Sequence, residues 1–153
     1  MTGMTRKVPG AQTAKRNSPQ WLRSTARGLL VLLLAQFALG MVVNLYVHVP
    51  AGRSGYGTAV AALVLHAVVG LALIAGSISM AVRTVMARAR TIVVPAVAAA
   101  VVLLGAAANG VAFLGSGARV SSLVMALCAL IAMLCYGLIL YRLPNPAGSS
   151  ATP

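Results

Sequence analysis

Residues 28–47 read GLLVLLLAQFALGMVVNLYV, a run with no charge and with Gln36 and Asn44 as its amide side chains. Coiled as a helix rising about 1.5 Å per residue, it covers about 30 Å, the thickness of a bilayer's hydrocarbon core. Backbone N–H and C=O groups in hydrocarbon have no water to bond, so such a run satisfies its own amides as a helix. Three further stretches have the same character, at about 57–82, 91–114 and 120–141. None alternates with period two as a barrel strand would. The expected fold is all-α, a four-transmembrane-helix bundle.

The flanks divide the chain. Residues 1–27 are basic and broken by Pro9 and Pro19, which suggests a disordered arm, with Trp21 and Arg23 as an interfacial anchor. His48-Val49-Pro50 and the glycine-rich run to Gly57 separate spans one and two; Arg83, Arg88 and Arg90 mark a basic connection between spans two and three. Pro95 falls near the start of span three, where proline costs least. Gly115 to Ala118 is a tight turn, and Pro144 and Pro146 end span four, leaving 143–153 as a flexible tail outside a 28–142 transmembrane domain. A basic stretch followed by an apolar run also fits a cleaved signal peptide. Twenty apolar residues exceed the usual h-region of about 7–15, however, and Val49-Pro50-Ala51 is a poor cleavage site, so span one is expected to be retained.

Charge sets orientation and removes much chemistry. The chain has 12 Lys and Arg and no Asp or Glu, a formal charge of +12. Ten of these cations lie in the arm, the middle connection and the tail; Arg53 and Arg119 alone occupy the other two connections. The positive-inside rule therefore places both termini in the cytoplasm. Paired-carboxylate hydrolysis, Asp-oriented triads and hard-cation sites all lack their parts. With the basic residues flanking apolar spans instead of forming one face of a polar domain, anionic lipid headgroups are the expected partners and nucleic acid is not. Ten arginines against two lysines, with abundant Ala, Val and Gly, have the cast of a GC-rich bacterial genome. The expected location is the bacterial cytoplasmic membrane, crossed several times.

Polar side chains inside the spans are the candidate functional residues. Gln36, Gly40 and Asn44 step by four along span one; His66 and Gly70 do so on span two, with Ser77 further along; Gly105, Asn109 and Ala112 follow on span three. Ser121 and Ser122 open span four, and Tyr136 can donate a hydrogen bond within the bundle. At about 1.5 Å per residue, Asn44 lies about 5 Å below the outer boundary, Asn109 about 8 Å, His66 about 13 Å and Gln36 about 16 Å. The expected cluster is Gln36, Asn44, His66, Asn109, Ser122 and Tyr136. Hydrogen bonding between helices is its leading reading, ahead of a ligand cavity. His66 is also the one candidate for a haem b ligand, paired with Met41 or Met125, since His48 sits at the outer boundary. No cofactor and no metal are predicted. Cys128 and Cys135 lie roughly 10 Å apart on one helix, too far for a disulfide. No C-x-x-C, phosphate loop or nucleophile elbow occurs.

The segments Gln36 to Leu45, Leu65 to Gly70, Asn109 to Leu114 and Ser122 to Leu127, with Tyr136, together resemble small, uncharacterised four-helix membrane proteins of GC-rich bacteria. The resemblance covers roughly residues 28–141. It implies a shared bundle and carries no activity. Drug exporters of the small multidrug resistance type need a membrane glutamate, and quinone-reducing thiol enzymes need a C-x-x-C pair; this chain has neither. The expected role is a non-enzymatic accessory or partner subunit, able to join a membrane-protein partner or a second copy. Two alternatives stand beside it: a haem- or quinone-binding redox component centred on His66, and a small transporter or channel using the outer polar cluster.

Overall fold

The computed structural model describes residues 18–46, 56–116 and 119–143. The arm through residue 17, residues 47–55 with His48 and Arg53, and the tail from 144 lie outside them. The described residues form four helices and no strand: α1 Ser18–Tyr46, α2 Tyr56–Met86, α3 Arg90–Ser116 and α4 Arg119–Arg142. All four are long and apolar enough to cross a membrane. Consecutive helices pack side by side and α4 returns to α1, closing an up-down-up-down ring.

α1 begins ten residues before Gly28, which corrects the expectation of a disordered arm through residue 27. Pro19 stands in the first turn, where the missing N–H costs nothing. Leu22 and Ala26 are buried there, so tertiary packing continues the helix past the edge of its apolar run.

One spacing runs through the core of every helix, with Ala81, Pro95 and Ala100 buried beside it. Buried positions are spaced by four, three and four: Leu22, Ala26, Leu29 and Leu33 on α1; Leu73, Ser77, Met80 and Thr84 on α2; Ile92, Ala96, Ala99 and Leu103 on α3. On α4, Ala132, Tyr136 and Ile139 are buried and Leu143 packs against the cluster. That alternation is the coiled-coil seam. Applied to antiparallel neighbours, it stacks the side chains into layers of one residue per helix. The Ser77 and Tyr136 hydroxyls, 2.5 Å apart, bridge diagonally opposite helices within one layer. The exterior is apolar, with Val31, Leu71, Val94 and Leu134 each at least 66% exposed, a surface that water would not tolerate and hydrocarbon would.

Arg23, Arg27, Arg83, Arg88, Arg90 and Arg142 all stand at one end of the ring, where α1 and α3 begin and α2 and α4 finish. We call this the arginine end and the other the far end. With no acidic side chain to meet, three of these arginines use carbonyls and a ring. Pro95 has no N–H for the Thr91 carbonyl one turn below it; the Arg142 guanidinium donates to that oxygen at 2.7 Å. Arg23 donates at 2.8 Å to the Leu143 carbonyl, just past the C-terminus of α4, where a helix leaves acceptors unsatisfied. The Arg83 guanidinium lies 4.3 Å from the centroid of the Trp21 ring.

α2 finishes in a Schellman turn. The Ala89 N–H donates to the Thr84 carbonyl and the Arg88 N–H to that of Val85, with Arg88 itself at φ 50°. Glycine is the usual occupant of that position because it has no Cβ to clash.

Two outcomes follow for stability in detergent or bicelles. Arg88→Gly should stabilise the bundle by about 0.5–1 kcal/mol, since the strain is released. Arg142→Ala should cost about 0.5–1.5 kcal/mol in the natural chain and markedly less in a Pro95→Ala background, where the restored N–H takes the Thr91 carbonyl. Full additivity of the Arg142 and Pro95 substitutions would show that the two are not linked.

Candidate functional site

Beyond the layer of Leu33, Leu73, Leu103 and Ala132, no side chain described toward the far end is fully buried. The four-three spacing nevertheless continues. Its next positions are Gln36, Gly70, Ala106 and Ala129, then Gly40, His66, Gly110 and Met125, then Val43, Leu63, Phe113 and Ser122, all half-buried. The far half is thus built on the same stripe but is less tightly closed.

Three pairs in the first two of these layers set a large side chain against a glycine of the neighbouring helix. A β-carbon on Gly70 would stand 3.0 Å from Gln36 Nε2; one on Gly40 would stand 3.2 Å from His66 Cε1; one on Gly110 would stand 3.4 Å from the Met125 sulfur. α1 and α2 therefore interlock reciprocally. Gln36 of α1 lies over Gly70 of α2, and one turn further His66 of α2 lies over Gly40 of α1. Gln36 Nε2 donates to the His66 carbonyl at 2.9 Å, a bond that needs the close approach Gly70 allows. Leu29 against Gly76 repeats the arrangement nearer the arginine end, with a β-carbon on Gly76 only 2.7 Å from Leu29 Cδ2.

Of the six expected residues, Gln36, His66, Ser122 and Tyr136 lie on the inward stripe. Only Gln36 and His66 are brought together. Tyr136 belongs to a layer nearer the arginine end, where its partner is Ser77. Asn44 is exposed, and Asn109 donates to the Gly105 carbonyl of its own helix at 2.9 Å. The six expected residues therefore do not form one group: the structure has a Gln36–His66 pair, a Ser77–Tyr136 pair and separate amides. The reason is angular. A step of four advances about 400°, so two such steps carry a residue about 80° off its stripe; alternating with three keeps it in place. From Gln36 the seam passes through Gly40 to Val43 and misses Asn44, and on α3 it takes Gly110 instead of Asn109.

Ser77 had been noted on the His66 face without a partner; the shared four-three spacing of α2 and α4 was the signal that would have joined it to Tyr136. The Arg142–Thr91 contact was likewise announced by the N–H that Pro95 lacks. Chemically, the far-half pair is an amide beside an imidazole. Among the described residues, Gln36 Oε1 and His66 Nδ1 are buried and have no hydrogen-bond partner. Of the two methionines named as haem partners for His66, Met41 is 55% exposed, and Met125 shares the His66 layer with its sulfur against Gly110. No group of three metal-binding side chains occurs among the described residues. Cys128 and Cys135 are free, half-buried thiols.

The interlock has a measurable consequence. Gln36→Ala should cost about 0.6–1.7 kcal/mol, the range for hydrogen bonds between membrane helices. Gly70→Ala should cost at least as much, because its methyl displaces the amide from the His66 carbonyl. In the Gln36→Ala background, Gly70→Ala should cost little. Equal costs in both backgrounds would separate the glycine from the bond.

No family model, no curated protein and no solved structure matches this chain, so no family is named for it.

Proposed function

We propose that the chain is a non-catalytic accessory or partner subunit of the bacterial cytoplasmic membrane. It crosses four times, keeps both termini in the cytoplasm and rests its arginine end on the anionic leaflet. The observation that carries the reading is the segregation of charge. Four helix ends and the turn between α2 and α3 gather six arginines at one end, and no acidic side chain exists in the chain to neutralise them. Anionic headgroups supply that countercharge, contributing about 1 kcal/mol for each basic residue near the surface. Arg88 supports the reading from another direction. It occupies a left-handed position where glycine is cheaper, a cost with a use if the charge itself matters.

The interior supports a subunit more than a catalyst. Its hydrogen-bonding side chains are amides, an imidazole and hydroxyls; Gln36 and the Ser77–Tyr136 pair bond between helices, and Thr84 and Asn109 within their own. The apolar exterior offers room for lipid, a partner's helix or a second copy. Single cysteines in a background lacking Cys128 and Cys135 test the orientation. Probes at positions 53 and 119 should react with a membrane-impermeant maleimide in intact cells, and a probe at 88 only after lysis. Labelling of 53 or 119 solely from the cytosolic side would reverse the assignment and remove the proposal.

A further inference from the structure

A surface notch of about 280 Å³ opens on α1 at the arginine end, lined by Gln20, Arg23, Ser24 and Arg27. Two guanidinium groups, a hydroxyl and an amide meet there on consecutive turns of one helix face. Arg23 is held in place by its bond to the Leu143 carbonyl at 2.8 Å; Gln20, Ser24 and Arg27 are exposed. All four can donate hydrogen bonds, and guanidinium pairs with phosphate oxygens are among the strongest in proteins. The first turn of α1 has no acidic residue to oppose an anion.

Resting on the orientation proposed above, the notch falls at headgroup depth. Arg27 adjoins Gly28, where the apolar run starts, and Arg23 lies about 6 Å further out at about 1.5 Å per residue. The headgroup layer adds about 5–7 Å on each side of the hydrocarbon core. Continuing along the same helix face in steps of four and three, Val31 and Leu34 are 66% and 52% exposed. The cationic notch therefore passes directly into an uncovered apolar strip. A free phosphate would use the notch alone; a phospholipid uses both.

We propose that this face of α1 binds one anionic phospholipid, its phosphodiester in the notch of Arg23, Ser24, Arg27 and Gln20 and its acyl chains along Val31 and Leu34.

Native mass spectrometry of the full chain tests this after equilibration with equimolar phosphatidylglycerol and phosphatidylcholine. The natural chain should retain one phosphatidylglycerol in preference. Arg27→Gln with Ser24→Ala should lower that retention at least about five-fold, the equivalent of one surface charge. Arg88→Gln with Arg90→Gln, at the same end but outside the notch, should leave it unchanged. Excess inorganic phosphate should not displace the lipid. Both substituted residues of the notch are exposed, so packing is undisturbed; circular dichroism checks this, and Arg27→Gln alone serves if the pair fails to fold. Equal loss from both pairs of variants would mean diffuse attraction and overturn the site. Displacement by phosphate would mean a free-anion site and overturn the lipid. No preference for phosphatidylglycerol, with maleimide labelling on the expected sides, would remove the lipid site while leaving the orientation standing. Reversed labelling would remove both.

Discussion

A chain with 12 basic side chains and no acidic one cannot neutralise its cations with side-chain carboxylates. That constraint shapes one whole end of the molecule. Guanidinium groups there turn to groups that helices leave over: the carbonyl freed by Pro95, the carbonyl just past the end of α4, and the face of Trp21. Each contact joins two helices. Arg142 ties α4 to α3, Arg23 ties α1 to α4, and Arg83 ties α2 to α1. Three of the six arginine charges at this end are thereby spread around the ring, each against a neutral group.

The same end holds the tight core. Four layers with Leu, Ile, Met and Tyr set against Ala and Ser fill the space between the helices, and the Ser77–Tyr136 bond crosses it diagonally. Small residues are essential to this packing. When the outside of a helix is as apolar as its inside, burial gains nothing from hydrophobicity, and close approach through Ala, Gly and Ser supplies dispersion contacts and short hydrogen bonds instead. Leu29 over Gly76 and Gln36 over Gly70 are two forms of that exchange, one apolar and one polar.

How much could be read in advance follows from this. The four helices were legible because their length and apolarity are strong local signals, and Pro144 and the glycine-rich breaks delimit them. The start of α1 at Ser18 was not, because the segment from Pro19 to Arg27 is polar by composition and becomes helix through the burial of Leu22 and Ala26, a tertiary effect. Which face of each helix turns inward was also obscure. In a soluble bundle the polar residues mark the outside, but here Val31 and Leu33 differ in burial and hardly in chemistry. Counting polar residues by fours therefore found Gln36 and His66, which lie on the seam, and swept in Asn44 and Asn109, which do not. The four-three spacing of small residues carried the missing information.

The two halves of the bundle consequently do different things with polarity. Toward the arginine end, the hydroxyls of the diagonal pair bond to each other and the layers are closed. In the far half, the amide of Gln36 is committed through its nitrogen, its oxygen and His66 Nδ1 have no partner among the described residues, and the residues around them are half-buried. With buried side chains in every layer below the leucine floor and half-buried ones in every layer beyond it, close packing is concentrated toward the arginine end, and the far layers rely instead on the glycine interlocks and the bond from Gln36 to the His66 carbonyl.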